Sequence, residues 1–349
     1  MRSTRVAAVA IAAFVLVSAA AIVPLPYFLE RPGNALGLGE RIMITAPSAE
    51  PIDGDFLLVT VTLQRTTLAD LLSAWLSPTL EVVGVDQVIP PGQTGEEFFA
   101  HQQEIFEQSA RRAAAVGLTA AGFEVGPEDV GGEGALVVSV VPDSAADGAL
   151  LPGDVIVAVD GDPIATDDDL REAIPPRCVD SIEALPPSSC WEPGSLRLAV
   201  RRAGQATEID VRPQPVSGEP ARPVIGVEVT TLNASIDLPV PFDVDSSNIG
   251  GPSAGLMIAL AVFDTMDPLD LADGRLIAGT GTIHLDGTVG LISGIRQKVA
   301  AAHREGVDLF LSPQGQLAEA QRGVPTGSDL RVIGVATFDE AVASLRDHD

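Results

Sequence analysis

Ile249-Gly250-Gly251-Pro252-Ser253-Ala254-Gly255 runs directly into Leu256 to Phe263, an apolar segment with the composition of a buried helix. Proline fits the first turn of a helix, where its missing N–H costs nothing. The glycines at 250 and 251 let the backbone come close to a bound group. A serine at that helix start has unpaired backbone N–H groups beside it, able to stabilise a developing oxyanion. Ser253 is therefore a candidate nucleophile, with Gly251 and Ala254 as supporting positions. Taken alone, the run reads as an ordinary N-cap serine. It also fits G-x-S-x-G, the nucleophile elbow of α/β-hydrolases, which needs a later acid and histidine. Of the histidines that follow, His303 falls in a helical pattern and His348 in the terminal tail, which leaves His284.

Outward from this run, strands and helices alternate from Pro223 onward. Val224 to Thr231 and Arg275 to Ile283 read as strands, with a turn at Asp286-Gly287. Ile295 to Arg304 reads as a helix between Gly294 and Gly306, Asp308 to Leu311 as a buried strand, and Phe338 to Leu345 as a closing helix. The Ile295 helix carries Lys298. Of 21 lysines and arginines in the 349 residues, 20 are arginine, so Lys298 is the chain's one lysine. Arginine keeps its proton in proteins, whereas a desolvated lysine can lose it and serve as base to a serine hydroxyl. The apolar neighbours Ile295, Val299, Ala301 and Ala302 favour burial of Lys298; a snorkelling surface lysine is the competing reading.

Three runs together resemble the Lon peptidase domain. Gly251-Pro252-Ser253-Ala254-Gly255 resembles its nucleophile motif. Thr280-Gly281-Thr282-Ile283-His284-Leu285-Asp286-Gly287-Thr288-Val289 resembles its T-G-x-I-x-x-x-G-x-V signature. Gly294 to Arg304 resembles its G-(I/L)-x-x-K-x-x-A-A-x-R helix. The resemblance implies that Ser253 attacks a peptide carbonyl, that Lys298 takes its proton, and that Thr280 orients the lysine amine. One position departs from the pattern: Lon enzymes often carry an acidic residue three before the serine, and this chain has Gly250. Asp243 and Asp245 lie near in sequence without an assignable role. The departure supports a rival of another class, a non-catalytic PDZ scaffold with a degenerate peptidase domain. An AAA+ motor needs a Walker A lysine, and no G-x-x-x-x-G-K-(S/T) or H-E-x-x-H occurs in the sequence. The expectation is an ATP-independent serine endopeptidase without cofactor or metal, acting on flexible or unfolded proteins. A homo-oligomeric ring is implied by the resemblance only.

Upstream, Leu136 to Val141 reads as a strand, followed by a Pro142-Asp143-Ser144-Ala145-Ala146 turn and a short helix. Leu151-Pro152-Gly153-Asp154-Val155-Ile156-Val157-Ala158-Val159-Asp160-Gly161 then runs into a strand and a tight turn, and Asp167 to Ile174 reads as a helix. This pattern resembles a bacterial-protease PDZ domain, which implies recognition of an extended peptide by strand addition. Its carboxylate-binding loop is expected within Gly117 to Phe123. Cys178 and Cys190 lie in a Pro/Ser-rich loop late in this segment, without zinc-type spacing. On an oxidising side of a membrane they are expected to form a disulfide, worth about 3 kcal/mol on the chain-entropy model.

The N-terminus supplies that membrane. Val6 to Val23 is an apolar run of bilayer-spanning length behind Arg2 and Arg5, and Leu25 and Tyr27 to Leu29 extend it past Pro24. Basic residues before the run place the N-terminus in the cytoplasm and the rest outside. A cleavable signal peptide ending near Val17-Ser18-Ala19 is the alternative. Arg31 to Glu40 reads as a linker, Ile42-Met43-Ile44 and Phe56 to Leu63 as strands, Thr67 to Leu76 as a short helix, and Glu96 to Val116 as an amphipathic helix bearing a surface His101. With anchor and PDZ in front of the peptidase segment, the whole chain is similar to the bacterial PDZ–Lon membrane proteins.

The expected organisation is therefore an α/β and α+β multidomain chain: a transmembrane anchor over 1–30, an N-terminal α+β region over 31–116, a PDZ domain over 117–215 and a Lon-type domain over 222–349. A net charge of −27 without a basic stripe excludes nucleic acid as a partner. Protein or peptide substrates and the membrane remain.

Overall fold

The computed structural model describes residues 23–89, 93–125, 130–174, 194–215, 223–267, 270–307 and 309–346. The anchor segment up to residue 22, His348 and both cysteines of the expected disulfide lie outside them. Among the described residues no helix is long and apolar enough to cross a membrane.

In chain order, the first segment supplies strands β1 (Tyr27–Gly37) and β2 (Asp55–Arg65), helix α1 (Leu68–Leu76), β3 (Glu81–Gly84) and the 26-residue helix α2 (Gly95–Ala120). The middle supplies β4 (Ala135–Val140), β5 (Val155–Val159), α3 (Asp167–Glu172), β6 (Leu196–Arg202), β7 (Gln205–Val211) and β8 (Val227–Thr231). The last supplies α4 (Gly255–Met266), β9 (Leu276–Gly279), β10 (Thr282–Ile283), β11 (Val289–Gly290), α5 (Ile295–Arg304), β12 (Leu309–Pro313), β13 (Arg331–Val335) and α6 (Phe338–Arg346).

One sheet has the order β13-β12-β9-β2-β1-β3. Its first four strands run parallel to one another, and β1 pairs antiparallel with β2 and β3. Strands from both ends of the chain thus form one sheet. Phe56 and Leu58 of β2, Phe106 and Ala113 of α2, and Met257 and Leu260 of α4 share one buried core. The expected separate region over 31–116 is therefore part of the same unit as the C-terminal segment. Alternation in sequence marks a strand but not a partner some 220 residues away.

Three further expectations are corrected. Residues 31–37, read as linker, belong to β1, where Pro32 sits at the register shift opposite Val61. Tyr27 to Leu29, read as an extension of the anchor, also belong to β1, with Phe28 and Leu29 buried. Gly117 to Ala120, read as part of a carboxylate-binding loop, are the last turn of α2. A Cβ on Gly117 would lie 2.5 Å from the Ala259 carbonyl oxygen, so this end of the helix is packed against α4.

The second sheet has the order β7-β6-β5-β4-β8, antiparallel throughout, with Asp162–Pro163 pairing to β5. Leu150, Ile156, Leu170, Leu198, Val200 and Ile225 fill its core. β8 was expected to open the peptidase domain at 222. It pairs instead with β4, because Val227 and Val229 complete this apolar cluster.

Candidate active site

The nucleophile run is held from below by α2, the helix in which the sequence showed no chemistry. The Gly251 N–H donates to the Gln102 carbonyl oxygen (2.9 Å), and Ser109 Oγ donates to the Pro252 carbonyl oxygen (3.1 Å). Gly251 has φ +83°, a conformation glycine adopts without strain. At Gly250 a Cβ would lie 2.8 Å from Gln102 Cβ. The missing acidic residue thus has a steric cause: α2 occupies the space that its side chain would need. Gly250→Asp is expected to destabilise the fold by about 1–3 kcal/mol through overpacking, read as a lowered urea midpoint. An unchanged midpoint would show that α2 can move aside.

From above, the β10–β11 hairpin packs on the start of α4. A Cβ on Gly255 would lie 2.9 Å from the Ile283 N, so the glycine permits this approach. The Ser253 carbonyl oxygen accepts from the Gly281 N–H (2.9 Å) and from Thr280 Oγ1 (2.9 Å). Among the described residues, no acceptor pairs with the N–H of Ser253 or Ala254, as an oxyanion site requires.

Ser253, Thr280 and Lys298 converge, although 45 residues separate the first from the last. Lys298 Nζ lies 2.5 Å from Ser253 Oγ and 3.1 Å from Thr280 Oγ1. Thr280 commits its proton to the Ser253 carbonyl, so towards Lys298 it can only accept. One N–H of the amine is thereby fixed, which leaves a lone pair of the neutral form free to face Ser253. Thr280 and Lys298 are buried, at 1% and 4% exposure, and Ser253 is half-buried.

Burial pushes Lys298 down from its ordinary 10.5 to about 8, against the opposing charges of Glu228 and Glu30. Glu228, on β8, is buried and accepts from Ser139 Oγ (2.7 Å) and Ser293 Oγ (3.4 Å). Burial pushes its own carboxyl up, while Lys298 and the serines pull it down. Burial likewise raises Glu30 to about 7, with Glu81 adding to the rise and Lys298 opposing it. Sequence reading missed both carboxylates, because neither lies in a motif and both act across strand and helix contacts. Glu228→Gln removes a charge that favours protonated Lys298. The rise of kcat/KM with pH is therefore expected to shift to lower pH, whereas an unmoved profile would separate Glu228 from the lysine.

His284, the alternative base, is engaged elsewhere. Its Nδ1 lies 3.0 Å from Asp168 Oδ1 and 3.3 Å from Asp167 Oδ2, both on α3. Burial lowers its pKa, but the two carboxylates outweigh this and hold it above the ordinary value. Arg171 of α3 reaches Asp286 (2.6 Å) and Thr288 (3.3 Å) in the hairpin turn. The ligand atoms of Asp167, Asp168 and His284 lie within 4.8 Å of one another. Arg112 and Arg171 already pair with the two carboxylates, so an imidazolium suits the remaining space better than a divalent ion. This cluster fastens α3 to the β10–β11 hairpin, which begins two residues after Thr280.

Comparison with known proteins gives two matches in order along the chain. Residues 113–179 match the PDZ domain model, and residues 233–345 match the Lon protease (S16) C-terminal proteolytic domain model. The chain joins a PDZ domain to a Lon-type proteolytic domain. Lon protease 1 of Herpetosiphon aurantiacus is 40% identical over 83 residues, which is 24% of this chain and 10% of that protein. Archaeal Lon protease of Methanocaldococcus jannaschii is 30% identical over 110 residues, 32% of this chain and 16% of that protein. The match thus spans between a tenth and a sixth of these relatives' length. The solved PDZ domain of an SdrC-like protein from Listeria monocytogenes is 18% identical, covering 28% of this chain and 87% of that one at a TM-score of 0.22. Ser253, Thr280 and Lys298 all fall in the Lon-type segment, whereas the sheet on which the Lys298 helix packs includes β1, Tyr27–Gly37.

Proposed function

We propose that this chain is a serine endopeptidase, anchored in the cytoplasmic membrane by its N-terminal segment and acting outside it on flexible or unfolded proteins without ATP. The observation that carries this reading is the contact of Ser253 Oγ with Lys298 Nζ at 2.5 Å in a buried setting. With a pKa of about 8, roughly a tenth of the lysine is neutral at pH 7, against roughly one part in three thousand for an ordinary lysine. Burial therefore raises the available base about three-hundredfold.

In this mechanism neutral Lys298 accepts the Ser253 proton as Oγ bonds to the peptide carbonyl carbon. The carbonyl oxygen takes up the displaced electron pair beside the N–H groups of Ser253 and Ala254. When the C–N bond breaks, the lysine ammonium returns the proton to the leaving amine. Neutral Lys298 then takes a proton from water as the water oxygen bonds to the acyl carbon; the acyl C–Oγ bond breaks and the ammonium returns that proton to Ser253 Oγ. Thr280 keeps the amine aimed throughout. The PDZ domain recruits or gates an extended segment by strand addition, and its α3 contacts the hairpin of the site through Arg171 and His284.

ATP independence and the preference for unfolded chains are tested together. The intact chain in detergent is expected to fragment a reduced, unfolded protein without nucleotide and to leave its folded, disulfide-bonded form intact. Cleavage only on adding ATP would overturn the proposal.

A further inference from the structure

Helix α1 has no buried residue. Leu68, Leu72, Trp75 and Leu76 are 49, 64, 84 and 76% exposed, and their spacing aligns them on one face. Leu71 and Ala74 take the half-buried side. Four large apolar side chains on nine residues form a patch that nothing among the described residues covers.

The place of this patch is informative. The Leu25 N–H donates to the Thr66 carbonyl oxygen (2.7 Å), and the Thr66 N–H donates to the Tyr27 carbonyl oxygen (3.0 Å). Thr67 is the N-cap of α1. Leu25, two residues past the end of the apolar run, therefore lies right beside the first turn of this helix. Val23 and Tyr27 are themselves 56% and 42% exposed. The one charged residue of α1, Asp70, is spent on the cap, accepting from the Thr67 N–H and Oγ1, both at 2.8 Å. The helix bears no lysine or arginine, so its chemistry suits acyl chains and not anionic headgroups.

We infer that α1 is a second membrane contact, lying in the bilayer interface with Leu68, Leu72, Trp75 and Leu76 towards the acyl chains and Tyr27 at headgroup level. Tryptophan and tyrosine are the residues that favour that layer. The inference rests on the anchor reading of the N-terminal run. A transmembrane segment alone would leave the domains to swivel; a contact beside its exit sets their orientation and the height of Ser253 above the bilayer.

The test uses the full chain with Trp191→Phe, which leaves Trp75 as the sole tryptophan. It is reconstituted in uncharged phosphatidylcholine vesicles carrying bromine near the headgroup end of the acyl chains. Flotation with the vesicles reports the anchor, and tryptophan emission reports the helix. The expected result is flotation together with loss of most Trp75 emission to the brominated lipid and little loss to aqueous iodide. Changing Leu68, Leu72 and Leu76 to serine should restore the emission while flotation persists. Flotation with Trp75 open to iodide would overturn the inference. So would Trp75 shielded from both quenchers, because that marks a protein partner such as a second copy. A chain that does not float removes the anchor reading, and this inference with it.

Discussion

Lys298→Met is expected to leave the chain folded and to lower kcat/KM on an unfolded protein by roughly a thousandfold or more, about 4 kcal/mol of transition-state stabilisation. Methionine keeps the unbranched, buried stem and removes only the amine that contacts Ser253 and Thr280. Lys298→Arg should be as inactive, since a guanidinium cannot release its proton to act as base. Ser253→Ala should fall to a similar floor, and the double variant should be little worse than either single one, because the two groups act as a unit. Single-turnover cleavage, with circular dichroism to check the fold, reads this directly. Retention of a tenth of the activity in Lys298→Met would show that the serine has another base.

The second large effect concerns stability. Arg112→Met is expected to cost about 3–5 kcal/mol, the penalty for breaking a buried ion pair on one side. Arg112 and Asp167 are 5% and 1% exposed, and the two terminal guanidinium nitrogens each reach the carboxylate at 2.8 Å. One of them also donates to Thr231 Oγ1 at 2.8 Å. Burial pushes the Asp167 carboxyl up, but Arg112 and His284 outweigh it and hold it well below the usual range. Arg112 lies on α2, Asp167 on α3 and Thr231 on β8, so this pair joins the platform of the nucleophile loop to the PDZ domain. Urea unfolding should show the loss. A companion variant, Asp167→Asn with Arg112→Met, should recover part of it, because no buried charge is then left unpaired. A loss below 1 kcal/mol in Arg112→Met would mean that solvent reaches the pair.

What the sequence made legible was chemistry carried by short runs. Ser253, Thr280 and Lys298 sit in three motifs whose residue types follow from their tasks, and the structure brings the three together. The helix limits Ile295 to Arg304 were read as they stand, because Gly294 and Gly306 punctuate them. The partners of those runs were not legible. Gln102 acts through its backbone carbonyl and Ser109 through one hydroxyl on a long helix, and neither leaves a compositional mark. Glu228 looked like an alternating strand residue, yet it faces the lysine because β8 joins the PDZ sheet. Linker-like glycine and proline at Pro32 and Gly33 hid β1, since a register shift inside a strand uses the same residues as a loop. Strand pairing across the chain escaped for another reason: alternation fixes the face of a strand and not its neighbour.

The most direct test of the dyad is the rate at which a serine-directed phosphonylating reagent labels the intact chain, followed by peptide mass at Ser253 across pH. One adduct is expected, on Ser253, forming faster as pH rises through about 8 with the deprotonation of Lys298, and no measurable adduct in Lys298→Met. Labelling of Ser253 at the same rate in Lys298→Met, or no labelling of Ser253 in the unaltered chain, would contradict it.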